Sequence, residues 1–222
     1  MSMSHSHAAL DRRIGVFAGN AVAVLCTIYA IALGAGLATL PSPGVPIRNP
    51  WFTVMELLIL GIAPAMVVFT VGLRAWVLVE RTLPAQLSVI FMSMCALLTC
   101  CVHFAVLTLS RQPAFAAGQW STLVFGFRWP SLAYALDILA WDVFFPLSAL
   151  CSALAIQRAG LAGVARGLLF ASAVLAFIGL AGIPLANMKV RNLGILGYAV
   201  LYPIAAVLLT VVLRREVRPG SA

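Results

Sequence analysis

Apolar residues form six long runs along the chain, and most charged residues lie between these runs. A helix that crosses a bilayer needs about 20 residues, because the hydrocarbon core is ~30 Å thick and a helix rises ~1.5 Å per residue. Every run reaches that length. The pattern therefore predicts six transmembrane helices, at about 14–40, 51–79, 84–110, 129–157, 164–186 and 192–213.

An all-α fold follows from this pattern, because a helix bonds its own backbone amides and the alternation typical of barrel strands is absent. The first run follows Arg12 and Arg13 as a signal peptide would, but it is about twice as long as a signal core, so we interpret it as a retained helix. We expect the extreme ends, about 1–10 and 217–222, to be disordered. The domain organisation is then a cytoplasmic tail at 1–13, one six-helix domain at 14–213 and a cytoplasmic tail at 214–222.

Composition and charge support a membrane protein. Only 9% of the 222 residues are charged, whereas a soluble domain carries about 25%. The net charge of +8 does not indicate nucleic-acid binding, because the basic residues sit singly or in pairs at helix ends. Basic residues are more numerous on one side of the predicted helices than on the other, and by the positive-inside tendency that side faces the cytoplasm. A multi-pass protein of a bacterial inner membrane is the localisation that this indicates.

The basic residues divide between the two sides as follows. With both termini inside, the inner side carries Arg12, Arg13, Arg74, Arg81, Arg158, Arg166, Arg214, Arg215 and Arg218. The outer side then carries Arg48, Arg111, Arg128, Lys189 and Arg191.

Polar side chains from four predicted helices fall in one layer, ~7–12 Å below the outer helix ends. An aspartate that faces lipid costs about 2.5–3.5 kcal/mol at a helix centre, so these groups must face protein or a hydrated cavity. A carboxylic acid withdrawn from water can keep its proton and donate it. The layer contains Glu56, His103, Tyr134, Asp137 and Tyr198.

Two interpretations of this layer remain open. It is either an outward-opening acid–base site or a buried polar network that fixes helix register. For the site, the candidate catalytic residues are Asp137, Asp142, Glu56 and His103. The candidate substrate-binding residues are Tyr134, Trp141, Phe145 and Tyr198, whose aromatic faces could stabilise a developing cation.

The stretch "YALDILAWDVFFP" at 134–146 places two aspartates five residues apart. Asp142 lies roughly 20 Å below the outer end, deeper than Asp137. On a regular α-helix, at ~100° per residue, the two carboxylates point ~140° apart. We therefore expect them to have different partners.

The sequence predicts no cofactor and no metal. Cys100 and His103 share a helix face, but two ligands are too few unless Glu56 or Asp137 completes the site. No phosphate-binding loop is present, and a bis-histidine haem would need a second histidine in the membrane. The five cysteines all fall inside predicted helices, where we expect them to be packing residues.

Prolines and aromatic residues mark two further features. Pro64, Pro146 and Pro203 fall inside helices two, four and six and predict kinks. The pattern fits three related hairpins or a three-plus-three inverted repeat. The longest outer connection, 111–128, is followed by Trp129, and its aromatic residues predict either a lid over an outward-opening site or an interfacial belt.

Three stretches carry a resemblance to known proteins: "CCVHFAVLTL" at 100–109, "WPSLAYALDILAWD" at 129–142 and "LGILGYAVLYP" at 193–203. Together they resemble a family of uncharacterised bacterial multi-pass membrane proteins with six helices. That resemblance implies no activity. Membrane-embedded sterol isomerases and terpene cyclases are similar only in plan, as small helix bundles with carboxylates inside the membrane.

Three functions are compatible with the sequence. The first is an acid–base enzyme of isomerase or cyclase type that acts on a membrane lipid or a lipid-like isoprenoid molecule. The second is a proton-coupled transporter or permeation unit in which the aspartates form successive proton stations. Six helices are few for a transporter, so that hypothesis predicts a homo-oligomer. The third is a structural membrane subunit without a site.

Overall fold

The computed structural model of the chain describes residues 2–42, 45–116, 119–157 and 159–217. The all-α prediction is confirmed, because the residues described form helices joined by turns and include no strand. Two residues that we assigned to the inner side, Arg158 and Arg218, and the end of the C-terminal tail lie outside the described residues.

The helices are numbered in chain order. Two short segments with the wider π-helical turn interrupt them, and we name these π1 and π2. The long helices near the start of the chain are α1 (Ser2–Ala38), α2 (Trp51–Arg74) and α3 (Thr82–Thr108). Two single turns follow, α4 (Pro113–Ala116) and α5 (Trp120–Leu123). The rest are α6 (Leu132–Ile138), π1 (Leu139–Phe144), α7 (Phe145–Ala155), α8 (Leu161–Leu180), α9 (Met188–Leu196), π2 (Gly197–Leu201) and α10 (Tyr202–Val217).

Six helical spans in the described part of the chain are long and apolar enough to cross a membrane, so the protein is a multi-pass membrane protein. They are Leu10–Ala38, Trp51–Arg74, Val79–Arg111, Leu132–Ala155, Leu161–Leu180 and Met188–Glu216. The first helix begins at Ser2, within the segment that we expected to be disordered. The sixth span begins at Met188, one turn before the predicted start, and this difference changes the candidate site.

The six spans form a closed ring in which each helix packs against two neighbours. The order around the ring is α1, α2, α3, α7, α8 and α10, and α10 returns to α1. Large buried side chains such as Phe69, Met92, Phe145 and Leu209 fill the centre. Because the spans alternate in direction, the starts of α2, α6 and α9 share one end of the ring, which we call the cluster end. The start of α1 and the end of α10 lie at the other end, which we call the terminal end.

Each π segment ends two residues before a proline. The Phe145 N–H donates to the Ala140 carbonyl, and the Tyr202 N–H donates to the Gly197 carbonyl, each five residues back instead of four. The next residues are Pro146 and Pro203. A proline has no N–H, and its ring clashes with the carbonyl four residues before it, so the preceding turn widens. The predicted kinks in helices four and six therefore take the form of π turns.

Candidate functional site

Three side chains that the sequence placed in one layer are in contact at the cluster end. The Nδ1 atom of His103, on α3, lies 2.9 Å from Oε2 of Glu56, on α2. The Nε2 atom of the same imidazole lies 3.6 Å from Oδ1 of Asp137, on α6. One imidazole thus bridges two carboxylates from two other helices. Their catalytic roles stay a prediction.

Arg191 extends this chain of contacts to the second aspartate. Its Nη2 atom lies 3.7 Å from Oδ2 of Asp137, and its Nε atom lies 3.2 Å from Oδ2 of Asp142. The result is a continuous series of five ionisable side chains from four membrane spans. We call it the charge cluster, and in order it contains Glu56, His103, Asp137, Arg191 and Asp142.

The prediction that the sixth helix begins at 192, which leaves Arg191 outside it, is wrong. The Arg191 side chain is only 4% exposed, and the residue belongs to the first turn of α9. Asn187 begins that helix, because its side-chain oxygen accepts bonds from the N–H groups of Lys189 and Val190. Asparagine is among the strongest helix-capping residues, so Asn187 was the signal in the sequence that could have placed Arg191 inside the helix.

Close packing of α9 on α8 brings the Arg191 backbone near the centre of the bundle. A Cβ atom at Gly179 would lie 2.8 Å from the Arg191 carbonyl oxygen, and one at Gly194 would lie 2.6 Å from Oδ1 of Asp142. Any side chain at these two positions would therefore push α9 away from α8 or push Asp142 from its place.

The expectation that the two aspartates have different partners is only partly right, because His103 contacts Asp137 alone but Arg191 contacts both. Both carboxylates contact Arg191, although a regular α-helix would turn them ~140° apart. One cause is π1, which begins two residues after Asp137 and contains Asp142. A π turn is wider than an α turn, so each residue rotates less about the axis and the angle between the two carboxylates falls below that of a regular α-helix.

Burial of the charge cluster increases from Asp137 inward. The Asp137 side chain is 14% exposed, and His103 is 8% exposed. Glu56 and Arg191 are each 4% exposed, and Asp142 is fully buried. Neither carboxylate oxygen of Asp142 has a hydrogen-bond partner of good geometry, so the ion pair with Arg191 is its main compensation. Asp137 is the member most open to the surroundings, and Asp142 is the most secluded.

The charges of the cluster do not balance. Three carboxylates face one guanidinium, which leaves two negative charges if the imidazole is neutral. Burying net charge inside a membrane is expensive, and removing one partner of a buried pair costs about 3–5 kcal/mol. Two protons, shared among the carboxylates and His103, would neutralise the cluster. The composition of the cluster thus favours proton binding.

Aromatic rings surround the charge cluster. The Tyr134 ring lies 4.9 Å from Cζ of Arg191, within the range of a cation–π contact. The Tyr198 ring packs on Trp141, with 5.1 Å between the ring centres, and on Phe145, with 5.9 Å. Phe145 is fully buried and also contacts Tyr202. These rings are packed against one another, and their predicted contact with a substrate stays a prediction.

The aromatic side chains in and next to the outer connection are of two kinds: the phenylalanines are packed against other side chains, and the tryptophans are exposed. The Phe127 ring stacks on His103 at 5.0 Å between the ring centres, and Phe125 is 8% exposed in a small core of its own. Trp120 and Trp129 are 56% and 39% exposed. Phe127 therefore contacts the charge cluster, whereas Phe125 packs with two valines of α3. The lid and the interfacial belt both stay predictions.

Within the described part of the chain, no group of three or more His, Cys, Asp and Glu side chains is arranged to hold a metal ion. All five cysteines are free thiols. Cys100, the one candidate partner for His103 in a metal site, is partly exposed. The contacts of His103 run instead to the two carboxylates on either side of its ring.

Comparison of the chain with protein-family models, with curated proteins and with solved structures finds no match. No relative therefore supplies an activity, and the resemblance to a bacterial membrane family stays an expectation. The chemistry must be argued from the charge cluster and the helices that build it.

Proposed function

We propose that this protein is a proton-conducting or proton-coupled transport unit and that the charge cluster is its proton-binding site. The observation that carries the proposal is the continuous series of ionisable side chains with more acids than bases. Ionisable groups inside a membrane are rare, and paired acids and histidines there commonly form proton relays. Such a series supplies several neighbouring places where a proton can reside.

Arg191 gives the two aspartates a way to alternate. A guanidinium stays protonated, so it does not carry the moving proton. When Asp137 binds a proton, its pull on Arg191 weakens, and Arg191 pairs with Asp142 alone. When the proton is passed inward to Asp142, the pairing reverses. The proton therefore leaves one carboxylate and joins the other while a single positive charge stays between them.

The exposed fractions of the side chains in the charge cluster favour Asp137 as the residue where protons enter. That side chain is the most exposed of the cluster, and Phe127 covers the neighbouring His103. With the termini in the cytoplasm of a bacterial cell, as the positive-inside count suggests, Asp137 would receive protons from the outside. We also propose a homo-oligomer in the inner membrane, because one ring of six helices is small for a transporter.

Purified protein in vesicles that contain a pH indicator provides the test. A potassium diffusion potential, negative inside, should draw protons in faster than in protein-free vesicles. Asp142→Asn keeps the shape of the side chain but removes its charge, so proton uptake should fall by about tenfold or more. Glu80→Gln is the matched control, because Glu80 is exposed at the terminal end, and it should behave as the unmodified protein. Equal uptake by Asp142→Asn and the unmodified protein would contradict the proposal.

An acid–base enzyme is the second candidate, and one observation favours it. Glu56 bonds one nitrogen of the His103 ring, and the other nitrogen faces the partly exposed Asp137. An imidazole held by a carboxylate can exchange a proton with a substrate that reaches Asp137 from the lipid, such as an isoprenoid olefin. Deuterium incorporation into membrane lipids in heavy water, lost in His103→Gln and kept in Glu80→Gln, would support the enzyme. If vesicles that contain the protein take up protons no faster than protein-free vesicles, the transport proposal is contradicted and the enzyme proposal remains.

A further inference from the structure

A narrow cleft opens at the terminal end of the ring, opposite the charge cluster. It runs between the ends of α2, α3 and α7, and its space of about 200 Å³ includes open solvent. Arg74 lies on its rim and is exposed, whereas Thr70, Ser88 and Ser152 line it deeper and are buried. The space inside the cleft that the centre of a water molecule can occupy is only about 10 Å³, which is the lower limit for one water, and the buried hydroxyls offer that water polar partners.

Three serines form a hydrogen-bonded chain at the floor of the cleft. The Ser88 hydroxyl lies 2.6 Å from that of Ser152 and 3.1 Å from that of Ser148. The Ser88 hydroxyl also donates to the Ser148 carbonyl at 2.9 Å, and the Ser148 hydroxyl donates to the Ser88 carbonyl at 2.8 Å. Each hydroxyl has one proton, so a proton passes from one serine oxygen to the next only when these bonds to the backbone break and form again.

One layer of buried side chains separates this floor from the charge cluster. Ser148 follows Asp142 by six residues in the same span, or roughly 9 Å along the helix. Phe145 lies between them and is fully buried, and Met92 is 1% exposed. The ring of Tyr202 packs on Phe145 with 5.2 Å between the ring centres.

Building on the proposed proton-conducting function, we propose that the serine cleft is the second entrance to the proton path. Water enters it from the terminal end of the ring. A proton that leaves Asp142 must pass the Phe145 layer to reach the Ser148, Ser88 and Ser152 hydroxyls and then the water in the cleft. The layer is closed in this structure, so protons on the two sides exchange only when Phe145 moves.

Labelling of single cysteines with a charged thiol reagent tests the cleft directly. The five native cysteines are first replaced by serine or alanine, and the vesicles are checked for unchanged proton uptake. Ser152→Cys should react from the face that also labels Glu80→Cys, which is exposed at the terminal end. Ala149→Cys is the matched control on the same helix, because Ala149 is 1% exposed and does not line the cleft. Ser152→Cys should react about tenfold faster than Ala149→Cys or more, because thiol reactivity follows access.

The modified Ser152→Cys protein should also lose proton uptake by about tenfold, because the charged label blocks the entrance. Equal labelling of Ser152→Cys and Ala149→Cys would overturn the inference, even if the charge cluster conducts protons by another route. Rapid labelling together with uptake that the label leaves unchanged would overturn it as well. If Ser152→Cys is labelled rapidly but the protein conducts no protons at all, the cleft is hydrated and the result contradicts the proposed function instead.

Discussion

Replacing Arg191 by methionine removes the one permanent positive charge of the charge cluster while keeping a long side chain. At an effective dielectric constant of about 20, opposite charges 3.2 Å apart attract by about 5 kcal/mol and charges 3.7 Å apart by about 4 kcal/mol. The cost of desolvating the guanidinium offsets part of this attraction. Removing one partner of a buried pair costs about 3–5 kcal/mol in practice, and we expect Arg191→Met to destabilise the protein by that amount.

The assay is equilibrium unfolding in mixed detergent micelles, followed by tryptophan fluorescence. Arg48→Met is the matched control, because Arg48 is exposed, and its effect should stay within about 0.5 kcal/mol. A double-mutant cycle with Asp142→Asn isolates the pair, and we expect a coupling energy of about 1–3 kcal/mol. The reasoning is refuted if Arg191→Met costs no more than Arg48→Met, or if the coupling energy is zero.

Two further substitutions probe the surroundings of the cluster. Gly194→Ala should destabilise the protein by about 1–3 kcal/mol, because the new Cβ would lie 2.6 Å from Oδ1 of Asp142. Gly167→Ala has nothing within 4 Å and should be neutral or stabilising in the same unfolding assay, so equal effects of the two would contradict the packing argument. Phe127→Ala uncovers the His103 ring, and diethyl pyrocarbonate, located by mass spectrometry, should then modify that ring several-fold faster. An unchanged rate would show that Phe127 does not control access.

The sequence was sufficient to predict the fold class, to single out four of the five residues of the charge cluster and to place three of those four at one depth. Helices in a membrane must bond their own backbone, and apolar length identifies them without reference to tertiary contacts. Counting residues from the outer helix ends places Glu56, His103 and Asp137 at one depth in the membrane, because the rise per residue is nearly constant along regular helices. The observed contacts among them are the ones that this common depth allows.

The rest depended on departures from regular helical geometry. The charge-free run begins only at Asn192, so the sequence places Arg191 outside the helix, and only the folded chain brings Asp137 and Asp142 to face its charge. The shared partner of Asp137 and Asp142 could not follow from ~100° per residue, since π1 changes the angle between them. Pro146 predicted a disturbance there, but not that it would take the form of a wider turn.

The most direct test of the central claim is infrared spectroscopy of the purified protein near neutral pH. A buried carboxyl that keeps its proton shows a carbonyl stretch apart from the amide bands, and exposed carboxylates show none. We predict such a band in the unmodified protein, its loss or displacement in Asp137→Asn or Asp142→Asn, and no change in Glu80→Gln. Absence of the band in the unmodified protein, or a band that no cluster substitution alters, would contradict a cluster that binds protons.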